Sequence, residues 1–247
     1  MATQFTTVTD MVGFKSLSIP NAEQNNFNSI ALETEECLIL DLLGAELYNA
    51  FETDVDAGSG TPTQQKHIDL LNGVTWIDNT SFVEDVTYNL KGIKEALKYF
   101  VYYEWLNQVS WSNNFVGKAQ NTGENATQMD RQSLNVETQN RYNKGIDLYN
   151  ELYRFVEYYE EIEEEATGIS EVAGTYTVTL GSTKYLIDGD IVTIDGNDYT
   201  VANLITDTSF EFTAATGLTF ISLDVTWYPF EDALLRIKNK IWFNGMI

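Results

Sequence analysis

The sequence predicts an α+β chain: a mainly α-helical domain, an inserted small antiparallel β-sandwich or barrel, and a C-terminal helix. Three observations carry this. From Leu90 to Trp111 apolar residues recur on nearly every face at helical spacing, the mark of a buried helix. At Gly168 the apolar period shortens from that of a helix to the alternation of a strand. At Pro229 the helical period returns. The expected domains are therefore residues 1–171, 172–228 and 229–247.

Residues 1–20 read as irregular and extended, with Phe14, Leu17 and Ile19 free to pack a neighbouring surface. Asn21 or Asn28 can cap the first helix, which runs from Ile30 to Leu43 with Ile30, Cys37, Leu38 and Leu42 in register. Gly44 interrupts it, and Ala45 to Val55 continues as a second helical piece. Ala57-Gly58-Ser59-Gly60 is a flexible turn. Pro62 suits the first position of a third helix, where its missing N–H costs nothing. Val74 to Phe82 reads as a loop anchored by Trp76.

The central helix then begins at Leu90. Its charges and six aromatic rings argue against a membrane span. Glu104 is the acid in its apolar half; a paired or solvated carboxylate is the expected reading, and a catalytic one needs a partner in a cleft. Asn113 to Gln128 is a polar loop. Asp130 to Glu165 reads as a second long helix whose end, EYYEEIEEEA, carries six glutamates, a solvated face or a deliberate negative surface.

Five or six short strands are expected between Gly174 and Trp227, with Asp188-Gly189 and Asp195-Gly196-Asn197 as hairpin turns. Asp188, Asp190, Asp195 and Asp198 lack the ligand spacing of an EF-hand, so turn chemistry accounts for them and no metal is expected. Phe230, Ala233, Leu234, Ile237 and Ile241 form the last amphipathic helix.

Across 247 residues the hydrophobic content is 43%, enough for a real core. The opening MATQFTTVTD has no signal-peptide pattern, and a single cysteine fits assembly in a reducing cytosol. Cys37 is the sole cysteine and is expected to be buried; His67 is the sole histidine and is expected to be exposed and inert. The formal charge is −23, which argues against direct nucleic-acid binding and against anionic membrane. Residues 1–129 carry 6 basic and 17 acidic residues, 130–171 carry 4 and 11, 172–228 carry 1 and 7, and 229–247 carry 3 and 2. Only the last segment is net positive. No phosphate-binding glycine loop, zinc motif or nucleophile elbow occurs, so no catalytic residue, cofactor or metal ligand is expected, and an enzyme is not.

The stretch EECLILDLLGAELYNAF, Glu35 to Phe51, sets a helix, a Leu-Gly break and a short aromatic helix in order. GIKEALKYFVYYEWL, Gly92 to Leu106, supplies a central aromatic helix. In this order of parts the chain, over residues 20–165, resembles the head–tail connector (adaptor, head-completion) proteins of tailed phages. The resemblance implies a structural virion protein: a homo-oligomeric ring, commonly of twelve subunits, that joins the portal protein to the tail or further neck proteins and extends the DNA channel. It implies a place in the virion neck, assembled in the host cytoplasm. An acidic lumen would let DNA pass without binding it. The β insertion departs from the family's minimal fold. A rival reading, from a different class, makes the β domain a surface binding module for a sugar or protein; exposed aromatics on one sheet face would favour it.

The candidate portal or subunit interface is the C-terminal segment: Arg236, Lys238 and Lys240, then the apolar Trp242, Phe243, Met246 and Ile247. Such a cluster is seldom left in water. It either docks on a partner or packs on the subunit's own helices.

Overall fold

The computed structural model describes residues 4–11, 24–78, 86–109, 112–114, 117–119 and 131–230. It is an α+β chain, as the sequence predicts. A short 3-10 turn at Val8–Met11 precedes α1 (Gln24–Leu43). Gly44, at φ 78°, breaks the helix in a conformation L side chains rarely adopt, and α2 (Ala45–Ala57) follows. Next come α3 (Gln65–Asn72), a hairpin of β1 (Thr75–Asp78) and β2 (Val86–Asn89), and α4 (Ile93–Val109). A small ribbon, β3 (Ser112–Asn114) with β4 (Gly117–Ala119), leads towards α5 (Arg131–Tyr158).

Helix α4 is the centre. Ile93, Ala96, Leu97 and Phe100 enter the main helical core, together with Ile39, Leu43, Phe51, Leu70, Tyr149, Leu152 and Phe155. Val101, Tyr102 and Trp105 enter a second cluster with Met11, Phe27, Ile30 and Ala31. Each fully buried Leu or Phe here contributes about 2 kcal/mol. Gly145 on α5 lies so close to Phe100 that a Cβ there would sit 2.9 Å from the ring. The start of α4 is set by a second close approach. Gly73 and Gly92 both take positive φ, and a Cβ on either would strike the backbone beside the other.

Helix α1 presents Phe27, Ile30, Ala31, Ile39 and Leu42 to the core. Glu35 falls one turn from both Ala31 and Ile39, so it is carried inward to 1% exposure. Its Oε2 accepts the backbone N–H of Phe5 at 2.7 Å, tying the N-terminal segment to the helix. Cys37 turns outward and is exposed, contrary to the expected burial, because it lies on the opposite side from that inward row.

Other boundaries also differ from the sequence reading. Helix α1 starts before Ile30, and Asn28 lies within it rather than capping it. Helix α3 starts at Gln65, not at Pro62, because Asp54 accepts the N–H groups of Thr63 and Gln64 and holds those residues outside the helix. The stretch around Trp76 is a strand rather than a loop, with Trp76 itself buried in the helical core. Helix α5 ends at Tyr158 rather than Glu165. Phe14, Leu17, Ile19 and Asn21 lie outside the described residues.

The glutamate run becomes β5 (Ile162–Glu165). Like charges oppose a continued helix there, while Ile162 and Ala166 supply the inward alternation of a strand. The strands thus begin ahead of residue 172. They continue through β6 (Gly168–Val172), β7 (Thr175–Thr179), β8 (Ile191–Ile194), β9 (Asn197–Thr200), β10 (Asn203–Thr206), β11 (Ser209–Thr213) and β12 (Asp224–Trp227). Two antiparallel four-stranded sheets result, ordered β10-β11-β7-β6 and β5-β12-β8-β9. They share one core of Tyr176, Val178, Val192, Ile194, Phe210, Phe212, Val225 and Trp227. The hairpin joining β8 and β9 turns at Asp195-Gly196, both at positive φ, as its sequence requires. Asp188, Asp190, Asp195 and Asp198 each accept a hydrogen bond from a neighbouring turn or strand, and no group able to hold a metal ion occurs among the described residues.

Two predictions follow from this packing. Burial pushes the Glu35 carboxyl above its ordinary value, against the N–H groups of Phe5 and Thr6. The folded chain then holds this proton more tightly than the unfolded chain, so the stability contributed by Glu35 is greatest at low pH and falls as pH rises towards its folded pKa. Glu35→Gln has no charge to bury. Its melting temperature, measured by circular dichroism, should gain on that of the wild type as pH rises from about 4 to 7; parallel curves would contradict the assignment. Deleting residues 172–228 behind a short linker should lower the helical melting transition. The deletion removes the partners of β5 and β6 and also Tyr185, which belongs to the helical core. An unchanged transition would mean the two parts are independent.

Candidate functional site

Arg236, Lys238, Lys240, Trp242, Phe243 and Ile247 lie outside the described residues, as does the rest of the helix expected after Pro229. The point from which that segment departs is well placed. Phe230 is buried, with its ring 6.0 Å from Phe155 and 5.8 Å from Tyr185. Lys66 Nζ donates to the carbonyl of Pro229 at 3.2 Å. The C-terminal segment therefore starts from the seam between the helical body and the sandwich.

That seam is built by the loop joining β7 to β8. Thr183 N–H donates to the Asp207 carbonyl, and Trp227 Nε1 donates to the Lys184 carbonyl, so the loop is tied to the sandwich behind it. Its tip enters the helical body. Tyr185 takes φ 65°, a strained conformation for a bulky residue, and is 3% exposed. Its hydroxyl donates to Asp69 Oδ2 at 2.7 Å, while Gln65 Nε2 donates to the other Asp69 oxygen. Burial, and then the Asp69 carboxylate, push the Tyr185 phenol far above its ordinary value, so it remains a donor. Lys184 Nζ lies 4.7 Å from the centre of the Tyr159 ring and 4.6 Å from that of Tyr185, and donates to Tyr159 Oη. Burial pushes its ammonium pKa down, against the pull of Asp69. Sequence reading passed over this loop. The available signal was that Lys184 is the sole basic residue of 172–228.

His67 is 1% exposed rather than on the surface. It packs edge-on to Phe51, and its Nδ1–H donates to Asp54 Oδ2 at 2.9 Å. Burial pushes the imidazole below its ordinary pKa, outweighing Asp54. Burial would raise Asp54, but hydrogen bonds from Thr63, Gln64 and His67 outweigh it and hold the carboxyl low. The pair thus pins the start of α3. Cys37 does not join it: Cys37 lines a groove on another part of the helical body, and His67 is not among the lining residues.

That groove, about 260 Å³, runs between α1, α4 and α5. Glu33, Cys37 and Leu38 come from α1, Tyr103 and Glu104 from α4, and Tyr142 from α5. The Tyr103 and Tyr142 rings stand 5.0 Å apart. Burial, then the Glu33 charge, push the Glu104 carboxyl up. Two carboxylates beside aromatic faces suit a cation: the acids supply charge and the rings supply their negative faces. No helix among the described residues is long and apolar enough to cross a membrane. No protein-family model, curated protein or solved structure matches the chain.

The Tyr185–Asp69 bond gives a direct test of the seam. Tyr185→Phe keeps the ring and leaves Asp69 with one donor fewer, which should cost about 1.5–3 kcal/mol for a bond to a charged acceptor. Urea unfolding should show the loss; a change under about 0.5 kcal/mol would mean the bond does not hold the two parts together.

Proposed function

We propose that this chain is a structural subunit of the neck of a tailed-phage particle, acting in a homo-oligomeric ring between the portal and the tail and extending the DNA channel. The observation that carries the reading is the acidity of the chain, net −23, set on a helical body with the order of parts of the connector proteins. A lumen lined by such a surface repels the phosphate backbone and lets DNA slide. Several cations of the helical body are already occupied internally. Lys94 pairs with Asp10, Lys98 with Glu95, and Lys66 bonds the Pro229 carbonyl. Lys184 of the sandwich is held between two aromatic rings.

In this reading the protein acts without a catalytic step or cofactor. The ring assembles in the host cytoplasm, meets the portal on one side and the tail or further neck proteins on the other, and ends in the virion neck. The C-terminal residues Arg236, Lys238, Lys240, Trp242, Phe243 and Ile247 serve as its interface, leaving the body beside Phe230. The sandwich, wired to the helices through Tyr185, is held as a fixed projection from the ring. The rival reading, a sugar- or protein-binding β module, needs aromatics displayed on a sheet face. Tyr176, Phe210, Phe212 and Trp227 instead face inward, which weakens it.

Electron microscopy and native mass spectrometry test the proposal. Subunit self-repulsion opposes assembly, so raising the salt, which screens it, should shift the population from monomer to an annular oligomer. A particle in which this protein is present as one copy, or lies outside a ring, would overturn the reading.

A further inference from the structure

We propose that the groove between α1, α4 and α5 is a binding site for a small alkylammonium cation, one carrying a trimethylammonium group as free choline does. The inference is independent of the neck reading, because it concerns a single subunit and holds whether or not a ring forms.

The aromatic wall of the groove comes from two helices. The Tyr103 ring of α4 and the Tyr142 ring of α5 are inclined at 55° with their centres 5.0 Å apart. Phe100 stands edge-on to Tyr142 at 5.2 Å. Both tyrosines are half-buried and line the groove, with Leu38 as an apolar wall from α1. Rings at such an angle form a concave corner, and their negative faces favour a cation there. Glu104, next to Tyr103 on α4, and Glu33, from α1, border the same groove. Burial, and then the Glu33 charge, oppose ionisation of Glu104. Among the described residues neither carboxylate has a hydrogen bond or an ion pair, whereas Lys94 and Lys98 of α4 are paired with Asp10 and Glu95. A cation in the groove relieves the repulsion between Glu33 and Glu104.

The same chemistry selects the kind of cation. A divalent metal asks for six or more oxygen ligands or a set of His, Cys and acid donors, and no group able to hold a metal ion occurs among the described residues. Sodium and plain ammonium are compact and strongly hydrated, and ring faces do not replace their water. A trimethylammonium group has no N–H to satisfy and packs its positive methyls against aromatic faces. The groove, about 260 Å³, falls just below the range of about 300–1,000 Å³ for drug-sized ligands, so the ion is small. A phosphocholine headgroup would bring a phosphate beside two carboxylates on a chain of net −23, so a free cation is favoured over a lipid surface.

Cys37, exposed in the groove and the sole cysteine, reports occupancy. The full chain is alkylated with iodoacetamide, a neutral reagent, at constant ionic strength while sodium chloride is exchanged for another chloride salt. Choline and tetramethylammonium should slow the reaction saturably, by about tenfold at ten times the half-protecting concentration, as mass action requires. Ammonium should leave the rate unchanged. Glu104→Gln and Tyr103→Leu, each with unchanged circular dichroism, should raise the half-protecting concentration about threefold to tenfold. Equal protection by ammonium would mean that cations only screen an acidic surface, and would overturn the proposal. A Cys37 that is unreactive in the native chain yet reactive in urea would mean that the chain fills its own groove, and would also overturn it. So would protection by phosphocholine vesicles without protection by free choline, or a half-protecting concentration that neither substitution moves.

Discussion

The structure depends on the burial of α4 on nearly every side. A helix with only one apolar stripe can sit at a surface, but this one must be enclosed. Ile93, Ala96, Leu97 and Phe100 face the main core, while Val101, Tyr102 and Trp105 face a second cluster built with α1 and the N-terminal segment. Close enclosure needs a notch, and Gly145 supplies it where Phe100 meets α5. At the groove with Glu33 and Glu104, α1, α4 and α5 leave part of α4 uncovered behind an opening lined by Tyr103 and Tyr142. The groove is thus a by-product of how the central helix is wrapped.

The same packing explains how a β module can be inserted without becoming a loose appendage. Its entry and exit both lie by the helical core. Ile162 packs against both cores, and Phe230 belongs to the helical one. Tyr185 crosses the seam in a strained backbone conformation, which persists because burial, ring packing and the bond to Asp69 hold it. The strain and the buried polar bond are local costs offset by the aromatic cluster of Phe155, Tyr159, Tyr185 and Phe230. A module attached at both ends and at a third point between them keeps a set orientation.

Residues with a strong local signal were read correctly. The apolar periodicity of α4, the break at Gly44 and the turn at Asp195-Gly196 are properties of a few neighbouring side chains, and the fold keeps them. Polarity is a poor guide to exposure at Glu35 and His67, both buried, while Cys37, expected inside with its amphipathic stretch, faces outward. Glu35 is carried inward by its place on the helix, and Phe5 satisfies it from a distant part of the chain. His67 is buried because Asp54 meets it from the preceding helix. The end of α5 was missed because the pattern IEEEA resolves into a strand only when β12 lies beside it.

By itself, then, the sequence determined the fold class, the order of the described helices, the acidity, and the presence of one basic aromatic segment. These follow from periodicity, turn chemistry and composition, which are local or additive. The tertiary structure alone decided which polar groups are buried, where the sandwich is fastened, and which acids and rings share a groove. Those depend on contacts between residues far apart in the chain, and a buried polar group is tolerated only where such a contact supplies its partner.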